Sequence, residues 1–291
     1  MRYTRAMDKD LAGKVFLITG GTEGIGKAAS LEIAARGATM TIIGRNAEKT
    51  ERVATELRAA GAQRVDVIIA DMSKIADVRA AAAKFKASHD RLDVLINNAG
   101  AVFLTKQLSP DGLEMTFALN HLAYFVLTNA VLDLLKKTPG SRVVSTSSGA
   151  HAGGRIDFDD IAKCPSGRTG FNAYCDSKLA NVLFTRELAK RLEGTKTTAN
   201  CYHPGFVETG FGKNNKGFLA GAIAFTASLF ARTPEKGAET LVWLATSPDA
   251  ASMTGEYFMD KKVKKTKAIA YDKALATKLW KFTEELTAAP N

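Results

Sequence analysis

Seven short β-rich runs separated by longer stretches of helical period leave few folds open to this chain. Strands that alternate with helices pair in parallel and bury both faces of their sheet under those helices. The runs lie at residues 15–18, 39–43, 65–69, 94–96, 142–145, 198–202 and 257–259. Most are apolar at successive positions, as strands buried on both faces must be. The intervening periodicity predicts helices over 27–36, 48–60, 75–88, 111–137, 173–192 and 234–246. Gly37, Gly61 and Gly194 stand where a left-handed residue ends a helix, and Pro234 suits a first helical turn. The expected architecture is α/β, a doubly wound seven-stranded parallel sheet of the Rossmann type, with residues 1–291 forming one domain. Its ligand crevice is expected beyond the carboxyl ends of the strands.

Composition excludes several other classes. No Pro/Gly/Ser-rich linker or fixed-period repeat divides the 291 residues, and 46% hydrophobic with 24% charged residues suits a globular core rather than disorder. The first ten residues carry Arg2, Arg5, Asp8, Lys9 and Asp10 with no apolar run behind them. No signal peptide or anchor is therefore expected, and the cytoplasm is the expected location. The longest apolar stretch, 217–231, is interrupted by Thr226 and Ser228 and falls short of the roughly 20 residues that cross a bilayer. Cys164, Cys175 and Cys201 show no CxxC spacing, and His89, His121, His151 and His203 show no metal-ligand spacing, so reduced thiols and no metal are expected. Forty basic against 30 acidic residues give a net charge of +10. The only dense basic cluster is Lys261, Lys262, Lys264, Lys265 and Lys267, which reads as a solvated surface loop rather than a nucleic-acid site, since no aromatic residue interleaves it. Peripheral contact with an anionic membrane is compatible with this charge.

The first run leads straight into Thr19-Gly20-Gly21-Thr22-Glu23-Gly24-Ile25-Gly26, which opens a helix. Glycines let the backbone turn tightly and approach a pyrophosphate, whose charge is met by free N–H groups and the positive end of the helix dipole. After the second run comes Gly44-Arg45-Asn46, where an NAD site would offer an acidic residue to the ribose 2′-hydroxyl. A guanidinium there suits the 2′-phosphate of NADP instead. Glu23 sets a carboxylate in the turn close to the position of that phosphate.

Asn97-Asn98-Ala99-Gly100 closes the fourth run, and Tyr174-Cys175-Asp176-Ser177-Lys178 opens a later helix. Tyr174 and Lys178, four residues apart, share one helix face. A phenol ionises near pH 10, too high for a base at neutral pH, and an adjacent ammonium together with the cationic nicotinamide of an oxidised cofactor favours the phenolate.

The TGxxxGIG turn, the NNAG segment and the YxxxK pair, in this order and on these elements, resemble the short-chain dehydrogenase/reductase family, from Lys14 to about Phe258. The resemblance implies a catalytic set of Asn120, Ser148, Tyr174 and Lys178, with Ser147 the nearest rival to Ser148 and Asn120 holding a proton-relaying water. It implies cofactor contacts from Gly20, Thr22, Glu23, Gly24, Ile25 and Gly26, from Arg45 and Asn46, and from Asp71 and Met72 near the adenine. Further contacts are implied from Asn98, Ala99, Gly100, Tyr174 and Lys178, and from Pro204, Gly205, Val207 and Thr209 beside the nicotinamide. The run Ser147 to His151, residues 174–190 and His203-Pro204-Gly205 look most like the retinol-dehydrogenase-like branch. That branch implies NADP(H)-dependent hydride transfer with lipophilic carbonyl or alcohol substrates, and family members are often homo-oligomers. Residues 205–233 are expected to form a substrate loop, with 212–232 as an apolar lid. A cofactor-binding regulatory protein with little catalytic activity is the alternative, and it would need only the glycine-rich turn and Arg45.

Overall fold

The computed structural model describes residues 8–163, 170–207 and 232–288. Strand β1 (Val15–Thr19) is buried along its whole length and runs parallel to β2 (Thr39–Gly44) on one side and β4 (Val94–Asn97) on the other. Beyond β2 lies β3 (Arg64–Ile69); beyond β4 lie β5 (Arg142–Thr146), β6 (Thr198–Tyr202) and β7 (Tyr257–Met259). The order of these seven, β3-β2-β1-β4-β5-β6-β7, therefore changes direction between β1 and β4. A crevice opens at such a switch point because consecutive crossovers leave it on opposite faces.

Alternate side chains of each strand feed two cores. Phe16 and Ile18 join α1 (Gly24–Ala35), α2 (Ala47–Ala60) and α8 (Pro234–Thr246) through Ile33, Val53 and Leu241. Val15 and Leu17 join α3 (Ile75–Ser88), α5 (Ala123–Ala130) and α7 (Gly170–Arg191) through Val78, Leu127 and Phe184. Helix ends follow local chemistry. Asn46 caps α2 by accepting from the Lys49 N–H at 2.8 Å, and Gly61, at φ +116°, closes it in a conformation that a Cβ would strain.

The sheet has eight strands rather than the expected seven, and the eighth is antiparallel. Asp260 and Lys261 take left-handed conformations, φ +52° and +60°, and fold the chain back so that β8 (Lys262–Val263) pairs with β7. The lysine cluster thus supplies an edge strand as well as solvated side chains. Exposed lysines on such an edge discourage pairing with another chain.

Two helical expectations are also corrected. Residues 111–137 do not form one helix: α4 (Met115–Phe117) runs into a π-helical turn (Ala118–Leu122) and α5, and the backbone breaks at Val131 before α6 (Leu132–Lys137). The buried Glu114 carboxylate starts this segment by accepting from the Phe117 N–H at 2.6 Å. A further helix not anticipated from sequence, α9 (Lys273–Leu286), is capped by Asp272 and buries Ala276, Leu279, Trp280 and Thr283 on one face. Trp280 packs edge-on to Phe125 at 4.8 Å and stacks on Phe184 at 5.7 Å between ring centroids, with the Arg191 guanidinium 4.2 Å from its own ring. Trp280→Ala should destabilise the protein by about 3–5 kcal/mol in urea unfolding, whereas Trp280→Phe should lose much less.

Candidate active site

The glycine-rich turn is laced to the end of β4. The Thr19 hydroxyl accepts from the Asn98 and Ala99 N–H groups at 3.0 and 3.1 Å, and Asn98 Nδ2 donates to Gly20 O at 3.1 Å. This approach requires glycine: a Cβ on Gly20 would lie 2.7 Å from Ala99 Cα, and one on Gly26 would lie 2.1 Å from Gly20 O. Glu23, at the N-cap of α1, makes no side-chain cap bond, and its carboxylate instead pairs with Lys49 in the first turn of α2. The first turn of α1 contains no acidic residue. Its N–H groups and the helix dipole therefore suit an anion.

Arg45 follows β2 on the same rim and is exposed. Asn46 beside it is committed to capping α2. Asp71 accepts from Ser73 N at 2.9 Å and Ser73 Oγ at 2.7 Å, which fixes its turn after β3. The Met72 side chain is buried in the core, so the residue presents only backbone to a ligand. Asn98 also accepts from Thr146 Oγ1 at 3.2 Å, tying the end of β5 to the same rim.

Beside that rim stand the residues singled out for chemistry. Ser148 follows β5 and is hydrogen-bonded to Tyr174, and it accepts from the Ala150 N–H at 3.2 Å. Ser147 instead donates to the Lys178 carbonyl at 2.9 Å inside the protein, which makes it a structural tie. Lys178 lies 5.6 Å from the Tyr174 ring centroid, and its Nζ donates to Thr146 O at 3.1 Å. Burial pushes the Tyr174 phenol up to about 12, against the opposing hydrogen bond from Ser148. Burial also lowers the Lys178 ammonium to about 7. Desolvation therefore outweighs the favourable effect of the ammonium on the phenolate that the sequence spacing suggests.

Asn120 sits in the π-helical turn, fully buried. Its Nδ2 donates to Ala101 O at 3.0 Å and Ser177 Oγ at 3.1 Å, and its Oδ1 accepts from Ala101 N at 2.9 Å. The side chain clamps the loop after β4, with Gly100 beside it; a Cβ there would stand 3.0 Å from Asn120 Oδ1 and 3.6 Å from Lys178 Nζ. Both amide donors are thus committed to the protein. On the opposite wall, Val207 packs toward Gly237, where a Cβ would lie 2.7 Å from Val207 Cγ2 and 3.1 Å from Ile25 Cγ1. Gly205, at φ +83°, lies against Arg232, where a Cβ would approach the guanidinium to 2.7 Å. Thr209 and most of the expected lid lie outside the described residues.

The sequence reading gave Asn181 no role and weighed His121 only as a metal ligand. Asn181 Nδ2 donates to Asn120 O at 2.9 Å and to Thr146 O at 3.3 Å. Asn181 follows Lys178 by three residues and Tyr174 by seven, a helical spacing that places it on the same face and could have flagged it. Gly170 was also missed; it opens α7 where a Cβ would fall 1.7 Å from Phe103 O. The Leu104 backbone thus runs against the start of α7, where Phe171 follows Gly170 and has its ring centroid 6.1 Å from that of Tyr174. Leu104 and Phe171 are 40% and 53% exposed, an apolar border beside the phenol.

The sequence model of the short chain dehydrogenase family matches residues 14–218, and the chain belongs to that family, in its retinol-dehydrogenase-like branch. It is 37% identical to human retinol dehydrogenase 13 over 93% of this chain and 83% of that protein. Mouse retinol dehydrogenase 14 is 40% identical over 94% of this chain and 85% of its own length. Among solved structures, the Pseudomonas aeruginosa RhlG/NADP active-site complex aligns with a TM-score of 0.68 at 30% identity, over 86% of this chain and 95% of that one. The chain is thus an oxidoreductase of the short-chain type with a Rossmann nucleotide-binding fold.

Burial lowers His121, and likewise His203, to about 4. An unfolded histidine titrates near 6.5, so between pH 6.5 and 4 the unfolded chain binds more protons and stability falls as pH falls. Urea midpoints measured across this window should drop, with His121 contributing about 1 kcal/mol per pH unit. His121→Gln should flatten the slope.

Proposed function

We propose that this protein is an NADP(H)-dependent oxidoreductase interconverting a lipophilic aldehyde or ketone with its alcohol. The observation that carries the reading is Tyr174 hydrogen-bonded to Ser148 and one helical turn from Lys178, at the end of a glycine cradle whose helix N-terminus is free of side-chain caps. That donor set fits a dinucleotide: the first turn of α1 would hold its pyrophosphate, and Tyr174 and Lys178 would face its nicotinamide end.

Bound NADPH supplies the hydride for the carbonyl carbon. Ser148 donates a hydrogen bond to the carbonyl oxygen and orients it. Tyr174 Oη gives its proton to that oxygen as negative charge develops there, and burial of the phenol keeps it protonated at neutral pH, the state that reduction needs. Lys178, anchored to the Thr146 carbonyl, stands ready to stabilise the phenolate that remains. Asn120 acts as a positioning residue, holding the Gly100–Ala101 wall against Lys178.

Preference for NADP(H) is supported by exposed Arg45 at the end of β2 and by the NADP complex of the structural relative. A guanidinium and a phosphate form a charge-assisted, often bidentate pair worth about 1.5–3 kcal/mol. A lipophilic substrate is supported by the apolar border of Leu104 and Phe171 and by the names of the curated relatives.

The purified protein should oxidise NADPH in the presence of medium-chain aldehydes, followed by absorbance. Fluorescence titration should give tighter binding of NADPH than NADH, and Arg45→Ala should weaken NADPH alone by roughly ten- to a hundredfold. Equal affinities for the two cofactors, or a ratio unmoved by the substitution, would contradict the preference. No turnover with any aldehyde or ketone would contradict the enzyme reading.

A further inference from the structure

Among the described residues, Asp260 and Lys261 alone are left-handed without being glycine, at φ +52° and +60°. The turn they make is held from two sides. Lys261 N–H donates to Thr240 Oγ1 on α8 at 3.2 Å, and Lys264 N–H donates to Tyr257 O at 2.8 Å between β8 and β7. Such backbone is unfavourable for a residue with a Cβ and persists where the surroundings over-determine it. Here it aims the Asp260 carboxylate at Arg232. The guanidinium donates to both oxygens, Nη1 to Oδ1 and Nη2 to Oδ2, the latter at 3.1 Å.

Arg232 is bound on its other side to the segment that follows β6. Its backbone N–H donates to Phe206 O at 2.7 Å, and the residue pairs with Val207 in a parallel bridge. Its side chain lies along Gly205: a Cβ on that glycine would stand 2.7 Å from Nε, 2.8 Å from Cδ and 2.9 Å from Cζ. Gly205 is left-handed and has no side chain of its own to pack, so the arginine supplies its lateral contact. Val207 in turn meets the notch at Gly237, beside Ile25 of the glycine-rich turn. Through one ion pair, the turn at the end of β7 thus reaches the wall of the crevice.

We propose that Asp260 and Arg232 are positioning residues for the Gly205–Val207 wall, which their fork holds in place for the nicotinamide end of the cofactor. The proposal rests on the cofactor reading given above, with the nicotinamide beside this wall as the family resemblance implies. An exposed ion pair usually contributes little, because two long side chains must be ordered to form it. This pair is 29% and 48% exposed, yet little ordering is left to do. Asp260 is short and stands on a fixed turn, Arg232 already lies on Gly205, and the pairing is bidentate. The hydrogen bonds lower the Asp260 carboxyl and raise the Arg232 guanidinium, so both stay charged across the neutral range. Arg45 stands at the end of β2, with β1, β4, β5 and β6 between it and β7. Breaking the fork therefore leaves the adenosine end of the cofactor alone.

Asp260→Asn keeps the size and suits left-handed backbone, but offers the guanidinium one oxygen and an NH₂ in place of two oxygens. Arg232→Lys keeps the charge and loses the fork. In the full chain, each substitution should weaken NADPH about fivefold in fluorescence titration and leave adenosine 2′,5′-bisphosphate, the adenosine end alone, within about twofold of wild type. The double variant should bind NADPH no more weakly than the worse single variant, since both remove one interaction. Without added cofactor, hydrogen exchange at the Gly205, Phe206 and Val207 amides should quicken about fivefold in Asp260→Asn. Unchanged NADPH affinity in both single variants would overturn the proposal. So would equal losses for NADPH and the bisphosphate, additive losses in the double variant, or exchange rates that do not move. A wild type that binds NADPH no more tightly than the bisphosphate would count against the cofactor reading instead, and the exchange rates would still decide whether the fork holds the wall.

Discussion

The Thr19 hydroxyl, accepting from two consecutive N–H groups beyond β4 and lying within 3.4 Å of Ile96 O, joins the two strands between which the sheet changes direction. The geometry of the crevice depends on that join. It brings the glycine-rich turn so close to Ala99 that Gly20 cannot carry a Cβ, and it sets Asn98 where one side chain can hold both Gly20 O and Thr146 Oγ1. The ends of β1, β4 and β5 thereby become one rigid rim. Thr146, on that rim, uses its hydroxyl to hold Asn98 and its carbonyl to hold Lys178, so the cofactor cradle and the proton-transfer residues share a single backbone support.

Burial sets the electrostatics of this support. Tyr174 and Lys178 are both out of water, and desolvation favours the neutral form of each, raising the phenol and lowering the ammonium. A protonated Tyr174 could serve as the acid that the proposed carbonyl reduction requires. The Glu23–Lys49 pair removes the one carboxylate that would otherwise sit beside the anion-binding turn.

The parts of the molecule that repeat a local pattern were legible in the sequence. Runs of apolar residues located the parallel strands β1 to β7 within a residue or two, and the fixed spacing of Tyr174 and Lys178 put the two side chains on one helix face, where they stand 5.6 Å apart from ammonium to ring centroid. Features decided by tertiary contact were not. β8 consists of Lys262 and Val263, too short to show alternation, and its turn uses Asp260 and Lys261 in left-handed conformations where glycine or asparagine would have signalled a hairpin. The π-helical turn at Asn120 and the break at Val131 interrupt an uninterrupted apolar pattern. The helix carrying Trp280 did have a readable stripe in Ala276, Leu279, Trp280 and Thr283, but it lies past the last recognised motif. The resemblance favoured Ser148 over its neighbour Ser147, and their hydrogen bonds part them in the same way: Ser147 donates to the Lys178 carbonyl, whereas Ser148 bonds to Tyr174. The pairing of His121 with Asn181 was not legible because a one-dimensional pattern does not encode hydrogen-bond partners between elements.

Isotope tracing distinguishes the proposed direct hydride transfer, with Tyr174 as the proton donor, from a route that exchanges hydrogen with solvent. NADPH carrying deuterium on the transferring face of C4 would be supplied with an aldehyde substrate, and the alcohol product analysed by mass spectrometry for wild type and Tyr174→Phe. Wild type should place one deuterium at the carbinol carbon, and Tyr174→Phe should bind NADPH normally but form product about 10²–10⁴-fold more slowly. An alcohol that takes its carbon-bound hydrogen from solvent, or a Tyr174→Phe variant that turns over at the wild-type rate, would contradict it.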